Sequence, residues 1–72
     1  MKINEKLRGI EGLNNNTRLK ISCNDGEIIT GYYRGYTSGA NNEPEIAQLD
    51  ILTTDNEYIG LFENEIKAIV VI

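Results

Sequence analysis

The chain has 72 residues, one cysteine, no histidine and a formal net charge of -4. A domain of this length buries only about 60% of the surface that its unfolded chain exposes, so its core alone gives little stability. Cys23 has no second cysteine to pair with, and the ligands of an ordinary zinc site are missing. We therefore expect a single domain, residues 1–72, that is stabilised by oligomerisation or by very close packing.

Charge and thiol content restrict the partners and the location. The negative net charge repels phosphate at long range, so nucleic-acid binding requires a local basic surface. The cations are concentrated in the first half of the chain, where such a surface could form, although a mixed, solvated surface is the commoner outcome. A lone thiol, with no leader-like segment and no long apolar run, predicts a cytoplasmic protein that does not bind membranes.

Residues 4–13 predict a short amphipathic helix. Its apolar residues recur three apart, and Asn4 could cap its first turn. Gly9 and Gly12 weaken the helix by about 1 kcal/mol each. The three asparagines that follow favour a turn through local side-chain hydrogen bonds.

From Thr17 the period changes to two, which predicts a barrel of strands over residues 17–72. Leu19, Ile21 and Cys23 alternate with polar residues, so we expect all three side chains in the core. The Asp-Gly pair that follows predicts a tight hairpin turn. A longer second strand then contains two internal glycines, which indicate points where it bends or bulges.

The second half predicts a loop and three further strands. The loop SGANNEP leads into EIAQLDILT, then YIGLF, and the chain ends in IKAIVVI, a strand that is apolar at nearly every position. An exposed apolar edge strand is prone to pairing, so we expect a neighbouring subunit to cover it. The residues that we expect at this oligomer interface are Tyr58, Ile59, Leu61, Ile69, Val70 and Val71.

In LKISCNDGEIITGYYRGYT, Gly26, Gly31 and Tyr36 stand at five-residue spacings, and the chain ends in LFENEIKAIVVI. These stretches resemble the first and the second motif of the Sm-like proteins, the family of small barrels that includes LSm and Hfq. The resemblance covers nearly the whole chain and is nearest to Hfq among bacterial members. It implies a mainly-β fold with a short N-terminal helix and a five-stranded, strongly bent antiparallel small barrel. It also implies a homo-oligomeric ring, joined by the fourth strand and the next subunit's fifth, that binds RNA.

The sequence departs from the family at its RNA-binding positions. Sm-type RNA binders hold a base with an Asp, an aromatic residue and an Asn around the loop after the second strand. Here the Asp position is Thr37, and the loop carries Asn41 and Asn42 without a following aromatic. The cation positions of the second motif are Glu63 and Asn64, and a carboxylate at that place repels phosphate.

Tyrosines, cations and asparagines form the candidate nucleic-acid surface. Alternation places Tyr32 and Arg34 on one face of the second strand, where they could stack on bases and bind phosphates. The alternative is that the tyrosines pack at a barrel rim or subunit interface and the cations are merely solvated. The full candidate set is Arg18, Lys20, Tyr32, Arg34, Tyr36, Asn41, Asn42 and Asn64.

Composition argues against an enzyme. No histidine is present as a base, no phosphate-cradling glycine motif occurs, and the carboxylates are scattered over turns and strand faces. We expect no cofactor and no metal. Three functions remain as hypotheses: an oligomeric ring that binds RNA or single-stranded nucleic acid, a protein-interaction or assembly module, and a binder of small ligands such as nucleotides between subunits.

Overall fold

A short helix and five strands make up the domain. The structure is a computed structural model, which describes residues 2–43 and 45–72. Together with two short 3-10 turns, the elements are α1 (Ile3–Arg8), β1 (Arg18–Cys23), β2 (Ile28–Thr37), β3 (Gln48–Thr53), β4 (Tyr58–Phe62) and β5 (Ile66–Val71). The prediction of a mainly-β domain with a short N-terminal helix is confirmed.

Helix α1 is shorter than predicted. It ends at Arg8, and Gly9 forms its C-cap instead of continuing the helix. Gly12 has a φ of +69°, which is outside the helical region. Asn4 is not the cap, since Lys2 has that position without a capping side chain. The four-residue spacing of Ile3 and Leu7 places both side chains in the core.

The first hairpin forms as predicted. Leu19, Ile21 and Cys23 are buried, while the polar residues between them face away from the core. Gly26 has a φ of +91°, a backbone conformation that residues other than glycine rarely adopt. Asp25 Oδ1 accepts a hydrogen bond of 2.9 Å from the Glu27 N–H, which closes the turn on itself.

The two glycines of β2 have different roles. The pairing with β3 shifts between Tyr33 and Gly35, so the strand bulges there, as predicted for such a glycine. Gly31 lies where β3 packs closest, since a Cβ at this position would overlap the Leu52 carbonyl and the Thr53 Cα. Gly31 therefore allows the two strands to approach each other.

All five strands form one antiparallel sheet in the order β4-β3-β2-β1-β5. The outer strands β4 and β5 are joined by the turn Glu63–Glu65. The backbone of this turn contacts both halves of the sheet: Glu63 N donates to Ala47 O at 2.8 Å, and Asn24 N donates to Glu65 O at 2.9 Å. The most deeply buried side chains are Ile3, Leu19, Ile21, Leu49, Ile51 and Ile69.

Residues 2–43 and 45–72 contain no helix with the length and hydrophobicity that crossing a membrane requires.

Candidate nucleic-acid interface

The sheet has a core face and an outer face. Residues directly opposite each other on neighbouring strands share a face, and the buried residues of β1 and β3 define the core side. The outer face is the opposite side, and one row across it contains Arg18 of β1, Tyr32 of β2, Leu52 of β3 and Tyr58 of β4. Cationic and aromatic side chains are therefore neighbours on an uncovered surface.

Arg18 and Tyr32 form the centre of the candidate site. They are directly opposed in the β1–β2 register, which puts their Cβ atoms about 5 Å apart. Arg18 is exposed and Tyr32 is half-buried. Lys20, two positions along β1, is exposed on the same face opposite Thr30. The arrangement gives an aromatic ring flanked by two cations, as in surfaces that stack bases and bind phosphates.

Arg34 lies in the bulge of β2, and its side chain is hydrogen-bonded to the loop that precedes β1. Its Nη1 donates to the carbonyl oxygen of Asn15 at 2.7 Å. A guanidinium has five N–H groups, so this bond leaves donors for a phosphate. The bulge breaks the simple alternation that placed Arg34 beside Tyr32.

Tyr36 and Tyr33 are on the core face. Both are half-buried against the hydrophobic core, and Tyr36 lies opposite the buried Leu49. They line a cleft of about 420 Å³ between helix and sheet. Its other lining residues are Asn4, Leu7, Arg8, Leu13 and Ser38. The structure therefore separates Tyr36 from Tyr32, although both belong to the predicted site.

The three candidate asparagines each take part in hydrogen bonds away from Tyr32. Asn41 donates from Nδ2 to Ser38 Oγ at 3.1 Å within its own turn. Asn64 is exposed, and its carbonyl oxygen accepts a hydrogen bond of 2.8 Å from Asn24 Nδ2. Asn42 is half-buried, and its Nδ2 donates to Ile46 O at 2.9 Å.

A polar chain on the outer face was missed by the sequence analysis. Asn42 Nδ2 also donates to Gln48 Oε1 at 3.2 Å, and Gln48 Nε2 donates to Asp50 Oδ1 at 2.7 Å. Gly35 and Gly60 lie on either side of Asp50, opposite it in the register. The alternation of β3 puts Gln48 and Asp50 on one face, but no sequence signal links them to Asn42.

The predicted interface residues divide between core and surface. Leu61 and Ile69 are buried within the subunit, and Ile59 is half-buried against the core. Exposed at the outer strands are Tyr58, Val70 and Val71, with 64%, 52% and 49% of their surface accessible. Apolar surface at both edges is therefore open in the single chain.

Cys23 is a free thiol in the core, as predicted. Burial raises its pKa, and the nearby carboxylates of Asp25, Glu27 and Glu65 raise it further, so the reactive thiolate is disfavoured. Among the described residues, no group of three or more His, Cys, Asp or Glu side chains is arranged to hold a metal ion.

No family model, curated protein or solved structure matches the chain. The features of the chain that bear on function are therefore the outer face and the sheet edges.

Proposed function

We propose that this protein is a non-catalytic, Sm-like oligomeric subunit that binds single-stranded nucleic acid through its outer face. The observation that carries the proposal is the Arg18–Tyr32 pair, with Lys20 beside it on β1. A base stacked on Tyr32 would leave its flanking phosphates near the two cations. The proposal uses a local basic surface, as the net charge of -4 requires.

The connection between the outer strands supports a closed, barrel-like form of the sheet. Three strands separate β4 from β5, which in a flat sheet would put them about 19 Å apart at about 4.8 Å per strand. The path from Phe62 to Ile66 is four residues long and extends at most about 14 Å. This short connection favours a curved sheet whose edges approach each other, as in a small barrel.

The strand order supports assembly of several subunits. The outer strands β4 and β5 are the same pair through which the resemblance to Sm-like proteins implies ring formation. Both edges expose apolar side chains, and an unpaired edge strand readily pairs with another chain. A ring would also add the stability that a core of this size lacks.

The test is fluorescence anisotropy with labelled oligonucleotides of about twelve nucleotides. The wild type should bind at low salt, and the combined variant Arg18→Gln, Lys20→Gln should bind more weakly. The slope of the logarithm of the binding constant against the logarithm of salt concentration should become shallower in this variant, by about one unit per lost phosphate contact. Tyr32→Leu should weaken binding at every salt concentration. The combined variant Lys6→Gln, Arg8→Gln, which removes two exposed cations from α1, is the matched control.

The outcome that overturns this function is specific. If no oligonucleotide binds below about 100 micromolar at low salt, even nonspecific association is absent. Equal losses of affinity from the charge-matched α1 variant and from Arg18→Gln, Lys20→Gln would show that only net charge matters.

A second candidate function is a protein-interaction module. The exposed apolar side chains of β4 and β5 favour it, because a partner's strand could be added at either edge. Capture from nuclease-treated native extract distinguishes the two functions. A stoichiometric protein that survives nuclease supports the interaction module, whereas recovery of nucleic acid alone from untreated extract supports the first function.

A further inference from the structure

Asp50 lies between two glycines on the outer face of the sheet. In the register it is opposite Gly35 of β2 on one side and Gly60 of β4 on the other. Neither cross-strand neighbour has a side chain, and the space over Gly60 is taken by the Gln48 amide. On the other side, a Cβ on Gly35 would lie 3.6 Å from Asp50 Oδ2, an ordinary contact distance, so a ligand atom has room beside this oxygen.

The carboxylate is held in place by the polar chain. Gln48 donates to Oδ1 at 2.7 Å, and Asn42 in turn donates to Gln48 at 3.2 Å. A Cβ on Gly60 would overlap the Gln48 amide, so the glycine gives this amide its space. An ionised carboxylate has about four acceptor positions, and the bond from Gln48 occupies one of them. Asp50 therefore presents an oriented acceptor to the outer face.

Asp50 is also near the aromatic ring of the proposed site. Tyr32 is opposite Leu52, and Asp50 is two residues from Leu52 on the same strand and face. Diagonal neighbours in a regular ladder are about 7–8 Å apart. The bulge of β2 between Tyr33 and Gly35 lies on this diagonal, and a base that stacks on Tyr32 and extends towards the bulge would bring its edge to Asp50. A carboxylate that faced phosphates here would repel them, whereas one that faces a base edge can accept its hydrogen bonds.

We infer that Asp50 selects guanine in the nucleic acid that this face binds. A carboxylate only accepts hydrogen bonds, and guanine presents two adjacent donors, N1–H and the N2 amino group, on its Watson–Crick edge. Adenine and cytosine present one amino group beside an acceptor nitrogen. Uracil presents one N–H between two carbonyl oxygens, which the carboxylate repels. This inference rests on the proposed function, because it names the base that the Tyr32 platform prefers.

The test compares RNAs of about twelve nucleotides in which uridine alternates with guanosine, inosine or adenosine. Anisotropy is measured at low salt in lithium buffer, which suppresses guanine quadruplexes. The guanosine RNA should bind about tenfold more tightly than the adenosine RNA, the scale of one two-point base contact. The inosine RNA, which lacks only the N2 amino group, should lose most of this advantage.

Asp50→Asn tests the residue itself. The Asn side chain keeps the shape and an oxygen for Gln48, but its amide nitrogen replaces Oδ2 with a donor. The guanosine preference should fall to about twofold or less, while affinity for the adenosine RNA is kept or improved, since a negative charge is removed. Asp55→Asn, in the exposed β3–β4 turn, makes the same change of charge and should keep the preference.

The possible failures are distinguishable. Equal binding of the guanosine, inosine and adenosine RNAs by the wild type overturns the role of Asp50 and leaves the proposed function standing. A guanosine preference that survives in Asp50→Asn also overturns the role of Asp50. Absence of binding to every RNA overturns the proposed function, and the inference with it. The comparison with inosine uses the wild type alone and so does not depend on the folding of any variant.

Discussion

The carboxylate of Glu63 accepts a hydrogen bond of 3.0 Å from the backbone N–H of Ile3, sixty residues away in the chain. Ile3 is the first residue of α1, and the side chain of the N-cap residue Lys2 makes no capping hydrogen bond. Glu63 therefore caps the helix from the turn between the two outer strands. This contact gives a structural reason for a carboxylate at a position where the resemblance to Sm-like proteins implies a cation.

Glu63→Ala should destabilise the domain. The substitution removes the acceptor for an N–H of the first helical turn, and the loss of a helix cap typically lowers the free energy of unfolding by about 1 kcal/mol. Glu63→Gln keeps an oxygen acceptor and should cost about half as much. Urea unfolding at one protein concentration measures both. Glu11→Ala, in an exposed loop, is the control, and an equal effect there would show that the cap contributes nothing.

The two glycines of β2 should differ in their tolerance of alanine. A Cβ at Gly31 would lie 2.9 Å from Thr53 Cα and would overlap the Leu52 carbonyl, so β3 must shift. Gly31→Ala should lower the free energy of unfolding by about 2 kcal/mol or more. A Cβ at Gly35 meets only Asp50 Oδ2, at 3.6 Å. Gly35→Ala should therefore change the free energy of unfolding by less than about 1 kcal/mol. Equal effects in urea unfolding would contradict the assigned close contact.

Local patterns predicted the strands well because strand burial follows a period of two. Leu19, Ile21 and Cys23 are buried as their alternation requires, and the Asp-Gly turn closes the hairpin. The helix boundary was predicted too far along because the spacing of Leu7 and Ile10 extends past Gly9. Ile10 does pack against the core, but from the segment after the helix.

A bulge in β2 and long-range hydrogen bonds explain most of what the sequence could not predict about the site. The bulge near Gly35 interrupts the alternation of β2, so Tyr36 packs on the core face and Arg34 bonds to Asn15. Gly35 indicated a bend or bulge, but the alternation did not show that the residues after it change face. The capping of Ile3 by Glu63 likewise depends on how the sheet brings distant segments together.

Charged substitutions at the sheet edge should disrupt assembly. We expect light scattering to give a mass of several subunits for the wild type and a lower mass for Tyr58→Lys and Val71→Lys, because lysine on an edge strand opposes pairing. Ile28→Lys is the matched control, since Ile28 is 58% exposed but belongs to β2, an inner strand. A monomeric wild type, or dissociation by Ile28→Lys alone, would contradict assembly through the edges.

Stability should fall in alkaline solution because of Cys23. Burial and three neighbouring carboxylates raise its pKa, so the folded protein keeps the thiol proton at pH values where the unfolded chain has lost it. The unfolded state then binds fewer protons, and the free energy of unfolding decreases as pH rises above the ordinary thiol pKa, by at most about 1.4 kcal/mol per pH unit. Below that pKa the thiol is protonated in both states, and its contribution does not vary with pH.

The measurement is urea unfolding of the wild type and Cys23→Ala between about pH 7 and pH 10. Lysine and tyrosine titrations affect both proteins alike, so they cancel in the difference between the two stability curves. This difference should be constant near neutral pH and should change above the ordinary thiol pKa, with the wild type losing more stability. Parallel curves would mean that the thiol ionises as easily in the folded core as in the unfolded chain.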